Sequence, residues 1–350
     1  MSTVNQATPL PARDHIRRIL IMKWSALGDV VISTAAMEDV RRAFPDATLH
    51  INTFPAWTPL FRADPRFSKV IDIPVRNGAS AMLAWLKTVR AGRYDLVVDL
   101  QSNDRARILQ SLLLLSGARI PCRLGTHRRL PYNIAPPPQA PTVHAFDHLR
   151  AALQAGGIPT VTPRPVLHIP EQHRVRAEQL LKEQGVAGSR YAVFLPGCQA
   201  AGYLKRWGAP RYSALGLYLR EAGYDRIVLL GARDEMAECQ TIQQHCGDWV
   251  INLCGQTELL DIPPLCENAG CIVANDTGTA HIASATTTPM AVICGPTDPR
   301  RVKPVGEQIK ALQAKIHCIN CYNKHCSHHS CMMLVSPEAV FETLQGLGAV

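Results

Sequence analysis

The sequence predicts an α/β protein made of two doubly wound, mostly parallel sheets. Three observations carry this. Short apolar runs alternate with helical patterns along the chain, the order that a parallel sheet with crossover helices requires. The alternation breaks at Gly156-Gly157-Ile158-Pro159, with Pro163 and Pro165 close behind, and then resumes in the same grammar. The length, 350 residues, suits two domains. The expected domains are 1–160 and 161–350, each Rossmann-like, facing one another across a cleft that is the default ligand site.

Arg18-Ile19-Leu20-Ile21-Met22-Lys23 reads as a buried first strand, Trp24 to Asp29 as a turn, and Val30, Met37, Val40 and Phe44 recur at helical spacing. Further strands are expected at Leu49–Asn52, Val70–Ile73 and Leu96–Leu100, with helices at Ala81–Val89 and Arg105–Leu115. Pro121 to Pro141, rich in Pro and Arg, reads as a long loop, and Phe146–Gln154 as a helix. In the second half, strands are expected at Tyr191–Leu195, Arg226–Leu230, Trp249–Leu253 and Cys271–Asn275, with Met290–Cys294 as the last. Tyr212, Leu215 and Leu219 mark one helix, and another runs from about Asp234 to His245. Val335 to Leu347 reads as a closing helix, capped by Ser336 with Pro337 at its first position, and residues 331–350 are expected to return to the first domain.

Composition narrows the classes. Hydrophobic residues make up 47% and charged residues 19%, which supports large cores and excludes disorder. No apolar run approaches the ~20 residues of a membrane span. The first 15 residues are polar and lack an apolar signal region, so a cytoplasmic location is expected. The net charge of +9 is one-sided: residues 1–150 hold 20 Lys and Arg against 11 Asp and Glu, and the remainder holds 17 of each. The first half therefore suits an anionic partner. Basic runs interleaved with aromatics are missing, which argues against nucleic acid.

The turn Asn275-Asp276-Thr277-Gly278-Thr279-Ala280-His281 follows a strand and opens a helix, where unpaired N–H groups favour anions. Read from spacing, helix capping by Asp276 or Thr277 explains it equally well.

Several segments together resemble the ADP-heptose:lipopolysaccharide heptosyltransferases, glycosyltransferase family 9. They are Ile19 to Val31 (ILIMKWSALGDVV), Tyr94 to Gln101, Leu195-Pro196-Gly197 with Lys205-Arg206-Trp207, Leu229 to Ala232, and NDTGTAHIASA with Thr288-Pro289 and Gly295-Pro296-Thr297-Asp298. The resemblance implies a GT-B fold, with donor on the C-terminal domain and acceptor on the N-terminal one. It implies an inverting enzyme that transfers heptose from ADP-heptose to a hydroxyl of the lipopolysaccharide inner core. A phosphorylated, Kdo-bearing lipid A acceptor suits the basic first half. Peripheral contact with the cytoplasmic face of the inner membrane follows, with no cofactor required.

By the same resemblance Asp29 is the general base, and Lys205 contacts the donor phosphates. Asp276, Thr277, Gly278 and His281 match the donor motif. Glu235, or its neighbour Asp234, stands where a ribose hydroxyl could donate to it. Cys198-Gln199-Ala200-Ala201 departs from the family's hydroxyl residues in that loop. Arg105, Arg128 and Arg129, with Arg107 and Arg123, are candidates for acceptor phosphate and carboxylate groups, which guanidinium binds bidentately. A capping role for Asp29 and solvated or core roles for the other residues remain open.

Four of the 12 cysteines cluster as Cys318-x2-Cys321-x4-Cys326-x4-Cys331, among His317, His325, His328 and His329. The spacing admits a metal, against free thiols or disulfides. Three other functions stand as alternatives: another nucleotide sugar or acceptor on the same fold, a nucleotide-sugar epimerase or hydrolase, and a regulatory module built on the cysteine cluster.

Overall fold

The computed structural model describes residue 10 and residues 15–101, 103–198 and 200–350, without the side chains of Ala200 and Ala201. The extreme N-terminus, read above as free of a signal, and Gln199 of the departing loop lie outside the described residues. The chain forms two compact units, Met1–His168 and Ile169–Val350. Residues 161–168, read from sequence as the start of the second domain, are tied to the first. Buried Asp39 accepts hydrogen bonds from Val161 N, Thr162 N and Thr162 Oγ1 through Oδ1. Thr34 Oγ1 accepts Val166 N, and Arg66 donates to Val166 O at 2.9 Å.

The first unit runs β1 (Arg18–Met22), α1 (Leu27–Ala43), β2 (Thr48–Asn52), β3 (Lys69–Ile71), α2 (Ala79–Gly92), β4 (Leu96–Asp99), α3 (Asp104–Leu115), β5 (Cys122–Leu124) and α4 (Ala145–Ala155). Its five strands are all parallel, in the order β3-β2-β1-β4-β5. Ile19 to Met22 are buried on both faces, which is why β1 reads as a continuous apolar run and not as an alternation. Trp24, Trp85 and Tyr94 fill one side of the sheet together with Leu109 and Leu113 of α3. The indoles of Trp24 and Trp85 both donate to Asn52 Oδ1, at 2.8 and 2.7 Å.

The second unit runs α5 (Glu171–Glu183), β6 (Tyr191–Leu195), α6 (Ala209–Glu221), β7 (Arg226–Leu229), α7 (Met236–Cys246), β8 (Val250–Asn252), α8 (Ile262–Glu267), β9 (Cys271–Asn275), α9 (Gly278–Ala283), β10 (Met290–Cys294), α10 (Pro299–Val302), β11 (Ile309–Gln313), α11 (Ser330–Met333) and α12 (Pro337–Gln345). Its parallel strands lie in the order β11-β10-β9-β6-β7-β8.

Further differences from the sequence reading appear. β10 is not the last strand, because β11 pairs with it from Met290↔Ile309 to Cys294↔Gln313. The segment Pro121 to Pro141 contains β5, and Leu124 bridges to Ile134. The closing helix α12 is capped by Ser336, whose Oγ accepts Ala339 N, with Pro337 at the first position. Its buried Val340 and Leu344 join the core of the second unit with Tyr212 and Leu215 of α6, where a return to the first unit was expected.

Candidate active site

In each sheet the winding reverses beside the first strand, at β1/β4 and at β6/β9. Ligands of open α/β sheets bind at the carboxyl ends of strands flanking such a reversal. The turns singled out from sequence fall at these points. Asp29 follows β1, and Asn275–His281 follows β9 beside the Pro196-Gly197 end of β6.

In the second unit Asn275 builds the turn. Its Nδ2 donates to Pro196 O, and its Oδ1 accepts Trp207 N and Tyr212 OH, at 3.3 and 3.2 Å. One buried amide thereby joins the ends of β6 and β9 to the loop that carries Lys205. Asp276, 3% exposed, is the centre of a charged cluster. Lys205 Nζ donates to Asp276 Oδ2 at 2.8 Å and to Asp276 O at 3.2 Å. Thr297 Oγ1, after β10, donates to the same Oδ2 at 2.7 Å. His281 Nε2 lies 3.9 Å from Oδ1. Lys205 is thus a half-buried cation held at the strand ends by a carboxylate, with a chain separation of 71 residues.

Thr277 caps α9, accepting Ala280 N at 3.4 Å while its hydroxyl meets Thr279 Oγ1 at 2.9 Å. α9 is only 6 residues long. Its dipole is correspondingly small, and the full positive charge beside this turn is that of Lys205, paired with Asp276. His281 is buried one turn on.

Glu235 lies in a short 3-10 turn, Arg233–Glu235, after β7. It is buried, and its Oε2 accepts Ala232 N at 2.7 Å. Burial pushes its carboxyl above the ordinary range; the Ala232 N–H opposes this, the Asp234 charge adds to it, and the Arg206 charge opposes it. A Cβ built on Gly197 would fall 2.1 Å from Glu235 Cδ, and one on Gly231 2.7 Å from Oε2. Those two glycines make the room in which Glu235 sits. Asp234, by contrast, is exposed. Arg206, next to Lys205, donates to Cys198 O at 2.8 Å and is a second cation beside Glu235. Arg206 and Thr297 were quoted above only as parts of motifs. Adjacency to Lys205 was the available signal for Arg206; nothing in spacing pointed to Thr297.

In the first unit α1 begins at Leu27, so Asp29 is its third residue and not a residue ahead of it. Asp29 Oδ2 accepts Ala26 N at 3.2 Å, half of a capping box, since Ala26 has no side-chain oxygen to return the bond. Beneath the turn lies a residue that sequence reasoning treated as mere strand. Lys23 is buried, and its Nζ donates to Leu100 O at 3.0 Å. Burial lowers its pKa, and the charges of Asp29 and Asp99 pull it back up. The signal was a cation closing an apolar run. Gln101 Oε1 holds the turn by accepting Trp24 N and Ser25 N at 2.8 and 3.1 Å.

Arg105, Arg128 and Arg129 are exposed. Arg123 is spent internally, on Pro131 O and Ile120 O, and Arg107 pairs with Asp104. Tyr132 donates to the buried Asp99, which also accepts Gln110 Nε2 at 2.8 Å, so the loop bearing Arg128 and Arg129 is pinned at its base. All 12 cysteines are free. Cys321 is exposed and Cys331 buried, and among the described residues no group of three or more His, Cys, Asp or Glu side chains is placed to hold a metal ion.

A family model described as Glycosyltransferase family 9 (heptosyltransferase) matches residues 82–332. The chain is 25% identical to lipooligosaccharide heptosyltransferase 2 of Haemophilus influenzae, over 94% of this chain and 99% of that one. Its fold matches a glycosyltransferase family 9 structure from Veillonella parvula, with a TM-score of 0.82, 20% identity, and coverage of 95% and 97%. It also matches Escherichia coli heptosyltransferase WaaC with ADP-2-deoxy-2-fluoro heptose, with a TM-score of 0.69, 20% identity, and coverage of 94% and 99%.

Proposed function

The chain belongs to glycosyltransferase family 9, and from that premise we propose that it is an inverting enzyme transferring heptose from ADP-heptose to a hydroxyl of the lipopolysaccharide inner core. The GT-B fold of its structural relatives accommodates this chemistry. The observation that carries the proposal is the Lys205–Asp276–Thr297 cluster at the β6/β9 reversal. The departing ADP is a stable anion and needs positive charge, not a proton. Lys205 supplies that charge to the diphosphate. Asp276, itself an anion, is a poor direct partner for phosphate; it holds Lys205 in place and is held by Thr297. The N–H groups of Thr277 to Thr279 add donors, Gly278 admits the ligand close to the backbone, and His281 lines the same turn. Glu235 accepts from a ribose hydroxyl.

The second unit binds the donor and the first binds the acceptor. Asp29 takes the proton of the attacking hydroxyl late in the reaction, when that oxygen has become acidic. Its Oδ2 is committed to Ala26, so Oδ1 is the receiving atom. Arg105, Arg128 and Arg129 bind acceptor phosphate and Kdo carboxylates. No helix among the described residues is long and apolar enough to cross a membrane, and the enzyme meets its lipid acceptor as a peripheral protein at the cytoplasmic face of the inner membrane. Incubation with a panel of ADP- and UDP-sugars and truncated lipopolysaccharides, read by mass, tests the assignment. A gain of one heptose from ADP-heptose supports it, and turnover confined to UDP-sugars rejects it.

A further inference from the structure

Helix α3 has two apolar faces, and only one is used by the core. Ala106, Leu109 and Leu113 pack into the first unit's core. On the opposite side Ile108, Leu112 and Leu115 are 56%, 37% and 84% exposed. Their spacing of four and three residues aligns them along about two turns of one stripe. The loop residue Leu130, 83% exposed, lies near the same helix: Arg107 Nε donates to Leu130 O at 3.4 Å. Exposed apolar side chains are ordinary when scattered; a helical stripe of them calls for an explanation. A shallow hollow lies along the same face, lined by Asp104, Arg107, Ile108, Ser111 and Leu112.

Charge identifies the occupant. Residues 104–130 contain six arginines, of which Arg105, Arg119, Arg128 and Arg129 are exposed, and one acidic residue. That one acid, Asp104, is already paired with Arg107. Arg128 and Arg129 immediately precede Leu130. At the other end of the stripe Arg90 of α2 donates to Ser116 O, just beyond Leu115. A protein partner for such a face would have to be both apolar and acidic over the same two turns. An anionic bilayer is both at once, with acyl chains beneath a layer of negative headgroups.

We propose that the exposed face of α3, with Leu130 and the flanking arginines, is the surface by which this chain docks on an anionic lipid bilayer. Ile108, Leu112, Leu115 and Leu130 enter the boundary between headgroups and acyl chains, and the arginines lie at the phosphates. The proposal rests on the reading of the acceptor as a lipid-anchored saccharide. It explains how a chain whose described residues include no membrane-spanning helix reaches such a substrate.

The test uses the full chain with vesicles of phosphatidylglycerol and phosphatidylethanolamine, or of phosphatidylcholine alone, and no nucleotide sugar. Binding is therefore measured apart from transfer, and failure of one reading cannot be mistaken for failure of the other. The expected result is salt-sensitive binding to the anionic vesicles only, weakened about tenfold or more by Leu112→Ser/Leu115→Ser. Transfer to a delipidated, water-soluble acceptor should be the same for parent and variant. A second probe, Leu115→Trp, should shift its emission to the blue on anionic vesicles. Equal binding of parent and serine variant, equal binding to both vesicle types, or an unshifted tryptophan overturns the proposal. So does a serine variant that changes only the oligomeric state, which would make the stripe a contact between copies of this chain.

Discussion

Lys205→Met removes the cation proposed to meet the donor diphosphate and leaves Asp276 behind. Two consequences can be worked out. Removing one member of a fully buried ion pair costs ~3–5 kcal/mol. Here the Lys205 side chain is 30% exposed and that of Asp276 only 4%, so solvent screening reduces the loss of stability to about 1–2 kcal/mol. Thr297 Oγ1 remains on Asp276 to limit it further. For ligand, the loss is one charge-assisted hydrogen bond to phosphate, about 1.5–3 kcal/mol, or roughly 10- to 150-fold in ADP affinity. Asp276→Asn differs. It keeps the shape but loosens Lys205, which the ligand must then order at about 0.5–1.5 kcal/mol, or roughly 2- to 12-fold. Because Asp276 acts through Lys205, the double variant should bind ADP no more weakly than Lys205→Met alone. Titration calorimetry of ADP on the four proteins closes the cycle. Additive losses would refute the anchoring argument. So would tighter binding by Asp276→Asn, since that would make repulsion between Asp276 and phosphate the larger effect.

Asp29→Asn should lower kcat by about 10²- to 10⁴-fold while ADP affinity is retained; unchanged transfer activity would remove Asp29 as the base. Lys23→Met leaves the Leu100 carbonyl without its donor and buried Asp99 without a neighbouring lysine, so stability should fall by about 1–3 kcal/mol; kcat, measured where both proteins stay folded, should still fall more than KM rises. An unchanged kcat in the folded variant would instead mark Lys23 as purely structural. Glu235 carries a pH signature. Its folded pKa lies above the ordinary 4.5, so the unfolded chain releases this proton first, and stability declines as pH rises from 4.5 through the raised value. Glu235→Gln should therefore melt higher than the parent at neutral pH and lose that advantage near pH 4; a difference independent of pH contradicts the burial argument.

The fold was legible because most central strands are buried on both faces. Ile19–Met22, Cys271–Asn275 and Met290–Cys294 stand out as apolar runs for that reason. β11 escaped because it is an edge strand, with Lys310 exposed and Ala311 to Gln313 half-buried, and so carries no such run. α5 escaped for a related reason: its thirteen residues, EQHRVRAEQLLKE, bury only His173, Ala177 and Leu181, at four-residue spacing. At the candidate site, sequence pattern identified turns but not the partners of side chains. Lys205 and Asp276 lie 71 positions apart, and resemblance to a family pointed to both residues while their pairing emerged only from the fold. Arg123 shows the reverse error, because an arginine in a loop looks available until its guanidinium is found on Pro131 O and Ile120 O. The helix start at Leu27 also changed the meaning of Asp29, which caps the first turn from within.

The most direct measurement is proton NMR of the enzyme turning over ADP-heptose with a Kdo-bearing lipid A acceptor. ADP should appear in step with a new glycosidic anomeric signal, and its configuration should be opposite to that of the donor. ADP-heptose left intact, or a product that keeps the donor's configuration, would contradict direct displacement with Asp29 as the base.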